Sequence, residues 1–218
     1  MQLEHVTWQG GPIEDAEILE LLPQNLAGLL EQINGFILYQ GGFHLFGATQ
    51  QPEWHSLREV WQGEQAAWRH YDSILETDVP FAQDCLGFQF FLRDDFVLFL
   101  DGQTGDVQEL KVGLGAFLNS IPTDPLNTIG LAPLLQFIND GNQLEPGELL
   151  AEYPFFFTKQ ARDGVELSKT PSAEKRKLLV HIYSKIKDAK DGEPLTFSVE
   201  RRKPNSKPVK PKRKKKST

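Results

Sequence analysis

Two Phe-rich runs separated by aspartates constrain this chain more than any other stretch. Phe81 to Leu92 is followed by Arg93-Asp94-Asp95 and then by Phe96-Val97-Leu98-Phe99-Leu100. Runs of five or so aromatic and β-branched residues bounded by a short polar segment read as buried strands joined by a tight turn. Phe88–Leu92 and Phe96–Leu100 are the expected neighbours. Asp101-Gly102-Gln103-Thr104-Gly105-Asp106 is a second turn, and Val107 to Val112 is the next strand. Strands in series with short turns make an antiparallel meander. Leu114 to Ile121 reads as a short helix that closes it.

Upstream, residues 1–12 are polar and end in Gly10-Gly11-Pro12, a ragged start. Ile18, Leu19, Leu22, Leu26, Leu29, Leu30 and Ile33 recur at helical spacing, with Pro23 dividing one short helix from the first turn of another. Asn34-Gly35 is a C-cap pair, since both tolerate a left-handed backbone. Phe36 to Tyr39 and Phe43 to Gly47 read as short strands around Gly41-Gly42. Trp54, Trp61 and Trp68 lie seven apart, which on one continuous helix makes a single stripe.

Downstream of Ile121 the expectation is a helix over Leu131–Ile138, a short strand within Leu149–Phe157, an amphipathic helix from Ser172 to Asp188, and a last strand over Leu195–Val199. The organisation expected from this pass is a segment 1–12, an α+β domain over 13–121, an α+β extension over 122–200 packed on it, and a disordered Lys/Arg-rich tail over 201–218.

Charge divides the chain sharply. Of 23 basic residues, ten follow Glu200, so residues 1–200 set 13 basic residues against all 30 acids, a net charge of −17. An acidic body steers towards cationic partners and repels nucleic acid. The tail residues Lys210, Lys212, Arg213, Lys214, Lys215 and Lys216 have polyanion-binding composition, but no aromatic accompanies them for base stacking. Nucleic acid is therefore expected only through the tail, which reads equally well as a solvated segment or one that folds back on the acidic body. No run approaches the roughly 18 apolar residues of a membrane span. The single cysteine, Cys85, and the lack of a secretory signal point to the cytoplasm.

No pattern of catalytic, cofactor-binding or metal-binding residues stands out. Cys85 has no neighbouring base and reads as an inert, buried thiol. Asp84 is expected to hold a turn by accepting backbone N–H groups. The acids at Asp94, Asp95, Asp101 and Asp106 lack the spacing of a calcium loop. His44 reads as a structural histidine.

The order Leu22-Pro23, a helix ending in Asn34-Gly35, Gly41-Gly42-Phe43-His44-Leu45-Phe46-Gly47, Phe81-Ala82-Gln83-Asp84-Cys85-Leu86-Gly87, strand–turn–strand and a closing Phe117-Leu118 helix resembles the SUKH superfamily. That group holds the fungal cell-wall synthesis regulator and many bacterial immunity proteins. The resemblance spans residues 13–121. It implies an α+β fold with a mixed, largely antiparallel sheet and helices packed around it, turn roles for Gly35, Gly42, Gly47 and Gly87, and a non-enzymatic role. In bacterial members that role is to bind and block a cognate toxin, often a nuclease. On this reading Trp54, Asp84, Asp94 and Asp95 are the expected protein contacts. The second reading is a regulatory scaffold whose basic tail contacts nucleic acid or an acidic partner.

Overall fold

In the computed structural model, residues 4–189 are described. The expected strand at Leu195–Val199 and the basic tail lie outside them. Seven strands run in chain order across one antiparallel sheet: β1 (Val6–Gln9), β2 (Phe36–Leu38), β3 (Phe43–Leu45), β4 (Val79–Asp84), β5 (Gln89–Arg93), β6 (Phe96–Leu100) and β7 (Val107–Glu109). The fold class is α+β, with an isolated bridge between Gly47 and Ser56 as a parallel element beside the sheet.

The register sorts the two faces. Phe36, Leu45, Ala82, Phe90 and Phe99 pair across successive strands and share one face. Helices α1 (Ala16–Glu20), α2 (Gln24–Gln32) and α4 (Leu114–Ser120) bring Ile18, Leu26, Leu30 and Phe117 into the core that this face forms. The Phe117 ring lies 4.9 Å from Phe90 and 6.1 Å from Phe43, centroid to centroid. This is the core that the Phe-rich runs called for, and each such ring contributes about 1.5–3 kcal/mol by leaving water.

Ile37, His44, Gln83, Gln89 and Leu100 pair across the other face. Its cover comes from α7 (Ser172–Ile186), from the segment carrying Ala67, Tyr71 and Ile74, and from the chain leading into β8 (Glu148–Tyr153). Tyr71 stacks on Tyr183 of α7 at 4.6 Å. β8 pairs only with β9 (Glu166–Pro171), and Leu150 N–H donates to the Cys85 carbonyl, which ties this hairpin to the sheet. Helices α5 (Pro125–Thr128) and α6 (Ala132–Asn139) lead into it. The described residues up to Asp188 form one unit.

Three local expectations are corrected. Residues 6–9 are an edge strand rather than a ragged start. The stretch Phe81–Leu92 is two strands, because Asp84 and Gly87 (φ +80°) reverse the chain between them. The three tryptophans do not ride one helix: α3 covers only Leu57–Gln62, with single 3₁₀ turns at Glu53–His55 and Ala67–Arg69 on either side. The Ser56 side chain caps α3 at Glu59 N–H, and an extended Gly63 ends it.

Candidate functional site

Two features stand out on this scaffold: a strongly one-signed surface with a projecting aromatic, and a polar seam under a cleft.

The surface follows from where the cations fall. Residues 4–110 hold 18 acids and three arginines, a net charge of −15, and contain no lysine. Residues 111–189 hold nine of each sign. The three arginines are all used within the fold. Arg58 grips Asp15 with two bonds of 2.5 and 2.7 Å, and Asp15 also caps α1 at Ile18 N–H. Arg93 grips buried Asp78 through Nε and Nη2 at 2.8 and 2.6 Å. Arg69 lies over the Trp68 ring at 4.1 Å and donates to the Gly63 carbonyl. Arg58 and Arg93 are thus paired fork to fork with buried acids, and Arg69 is stacked. Apart from Glu17, 3.4 Å from Arg58, and Asp72, 3.6 Å from Lys187, the exposed carboxylates of residues 4–110 form no salt bridge among the described residues.

The β5–β6 hairpin carries this charge to a tip. Asp94 and Asp95 are both exposed, and Asp94 takes the left-handed backbone (φ +52°) that aspartate tolerates. Phe96, the first residue of β6, is 46% exposed beside them. An exposed aromatic rimmed by carboxylates combines an anchor with a charge that steers. Sequence reading missed Phe96, because it belongs to an apolar run that reads as core throughout. Its exposure comes from its position at the strand's first residue, past the edge of the covering layers.

The other expected contacts lie elsewhere. Asp84 is 3% exposed, and its Oδ1 accepts Leu86 N–H at 2.8 Å and Phe88 N–H at 2.9 Å. It holds the β4–β5 turn and is not offered to a partner. Burial pushes its carboxyl up to about 7, against the lowering effect of those two bonds. Trp54 is half-buried, its ring 5.0 Å from Trp8 and 5.2 Å from His44. Cys85 is buried, and burial, reinforced by Asp84, pushes its thiol well up, which leaves no thiolate for nucleophilic work.

The seam centres on a pair of histidines. His55 sits in a slot built by glycines: a Cβ on Gly35 or Gly47 would meet its ring at 2.3 or 2.4 Å. Gly35 also adopts φ +77°, so it is doubly committed. His55 Nε2 lies 2.9 Å from the Asn34 carbonyl, which can only accept. The proton is therefore on Nε2, and His55 Nδ1 accepts from His44 Nε2–H at 2.8 Å. His44 Nδ1 then accepts from Gln83 Nε2 at 3.3 Å. Burial holds His44 well below the usual histidine range, helped by His55 and Arg176, and lowers His55 as well. The chain Gln83–His44–His55–Asn34 is thus neutral and points one way. Among the described residues, no three His, Cys, Asp or Glu side chains gather to hold a metal.

Gln83 and His44 form the floor of a cleft of about 220 Å³, walled by Thr7, Trp8 and Gln40 on one side and by residues 143–149 on the other. Along the same face lies a fully buried ion pair: Lys175 Nζ donates to Glu152 Oε2 at 2.5 Å, both side chains are 0% exposed, and Gln103 donates to the other oxygen of Glu152.

No protein-family model matches the chain, and no curated protein matches it. Among the described residues no helix is long and apolar enough to cross a membrane.

Proposed function

We propose that this protein is a non-enzymatic binding module of the immunity type, which holds a cationic toxin domain inside the cell and occludes its active site. The observation that carries the reading is the acid excess of residues 4–110, a formal charge of −15 with no lysine, whose three arginines are paired with Asp15 and Asp78 or stacked on Trp68. Such a field raises the rate of encounter with a basic partner, and an anchor at its tip sets the residence time. Phe96 with Asp94 and Asp95 supplies both. Asp84 drops out of the contact set by its burial, while Trp54 keeps a partly exposed edge. The resemblance to SUKH immunity proteins agrees in type of partner: nucleases are basic because their substrate is anionic.

The test is co-purification of the tagged protein with the product of the adjacent gene, in moderate salt. A one-to-one complex is expected. Phe96→Ala should weaken it by about 30-fold or more, the effect of losing a central aromatic anchor of about 2 kcal/mol. Asp94→Asn with Asp95→Asn should slow association mainly at low salt. Phe156→Ala, at an exposed aromatic outside the acidic half, should change neither. Deleting residues 201–218 should leave the complex intact; binding that vanishes with the tail supports the scaffold reading instead.

A further inference from the structure

We propose that the cleft above Gln83 is a subsite for a guanidinium group, carried either by a small free compound or by an arginine side chain of a partner. The seam has a direction. Because the Asn34 carbonyl accepts from His55, both ring N–H groups in the chain are assigned, and one of the two N–H bonds of the Gln83 amide goes to His44. What is left at the head of the chain is Gln83 Oε1, an acceptor on a side chain only 1% exposed, with no hydrogen-bond partner among the described protein groups. A buried amide oxygen without a donor costs free energy of desolvation, so the site gains from any ligand that brings an N–H.

The rest of the lining narrows the class. Among the described residues, the charged side chains that line the cleft are Glu145 and Glu148, both acids. Glu148 shares its carboxylate with Lys169 at 3.0 Å and with Glu145 N–H, whereas Glu145 binds only the Gln143 amide through Oε1. Trp8 is half-buried at the wall and presents an aromatic surface. A planar cation with several donors satisfies all three features at once: donation to Gln83, charge opposite Glu145, and stacking on an indole. A compact ammonium reaches the indole by charge alone, without the planar stacking or the fixed fork of donors, and an anion meets none. A volume near 220 Å³ has room for one such group.

The partner-borne form rests on the function proposed above; the subsite itself does not. The first experiment therefore needs no partner. Methylguanidinium chloride is titrated into the full chain while the Gln83 side-chain amide and Trp8 indole resonances are followed by NMR, with tetramethylammonium chloride at equal ionic strength as the reference salt. Saturable shifts of both resonances in the millimolar range, at least tenfold weaker in Gln83→Met, are expected. Glu145→Gln, an exposed position that leaves the floor untouched, should weaken binding several-fold and serves where Gln83→Met fails to fold. A linear response, an equal response to tetramethylammonium, or unchanged binding in Glu145→Gln together with Gln83→Met overturns the subsite. The source is then read from the complex with the neighbouring gene product. Loss of affinity in Gln83→Met assigns the group to a partner arginine, and an unchanged complex assigns it to a free guanidinium compound.

Discussion

The two faces of the sheet solve the same problem in opposite ways. One buries Phe43, Phe90 and Phe117 against each other with apolar contacts. The other, equally sealed, buries a histidine pair, a Lys175–Glu152 ion pair and the guanidinium of Arg176. The apolar face is stabilised by area and tolerates change in proportion to volume lost. The polar face is stabilised only while each group keeps its partner, so its responses to mutation are uneven and depend on pH. A sheet that needed only stability has no use for the second arrangement. Its cost makes sense where the polar layer shapes a cleft.

The sharpest way to break this comparison is at Lys175. Lys175→Met strands Glu152 as an unpaired buried carboxylate and should cost about 3–5 kcal/mol in urea unfolding. Adding Glu152→Leu should restore most of that loss, because the charge goes with its partner. On the apolar face Phe90→Ala should cost about 3–5 kcal/mol as well, but no second substitution of opposite polarity will rescue it.

Titration separates the faces next. His44 and His55 are held neutral in the fold, with affinities for protons below the ordinary 6.5 of histidine. The unfolded chain therefore binds more protons as pH falls below about 6.5, and stability is lost on acidification by up to about 1.4 kcal/mol per pH unit per histidine. Asp84 works against this. Its carboxyl is raised from 3.8 to about 7, so its contribution is present below 3.8 and lost as pH rises towards 7. Asp84→Asn should therefore steepen the acid loss between those limits by up to about 1.4 kcal/mol per pH unit. An unchanged slope contradicts the assigned protonation states.

The smallest effect is the most telling, since it concerns the residue next to Lys175. Arg176 is buried, its Nη1 has no hydrogen-bond partner, and burial lowers its proton affinity. Arg176→Met should be neutral or stabilising by about 1 kcal/mol, opposite in sign to Lys175→Met one position earlier. Equal losses at both positions make the face an ordinary packed layer.

The apolar face was legible in the sequence; much of the polar face was not. Phe-rich runs and the Asp94-Asp95 turn announce β5 and β6 because alternation and turn chemistry are local. β1 escapes because Val6-Thr7-Trp8-Gln9 is short and half-exposed, and β9 because Glu166–Pro171 is largely solvated. The histidine pair joins residues 11 apart through a slot formed by Gly10, Gly35 and Gly47, from three different segments, which no spacing rule encodes. Lys175 sits in a helix rich in lysine and reads there as solvated, although the fold buries it completely. Of the expected contacts, Asp94 and Asp95 are at the surface, Asp84 is inside, and Phe96 is the exposed aromatic that periodicity assigned to the core.

The central claim is that the acidic half of this molecule grips a basic protein by its hairpin tip. The most direct test is the association rate and affinity of the adjacent gene's product for the wild type, Phe96→Ala and Asp94→Asn/Asp95→Asn, measured at two salt concentrations. The account predicts a tight one-to-one complex, an affinity loss for Phe96→Ala at both salts, and a slower association for the double asparagine variant that disappears at high salt. A complex indifferent to all three substitutions, or binding that depends only on residues 201–218, would contradict it.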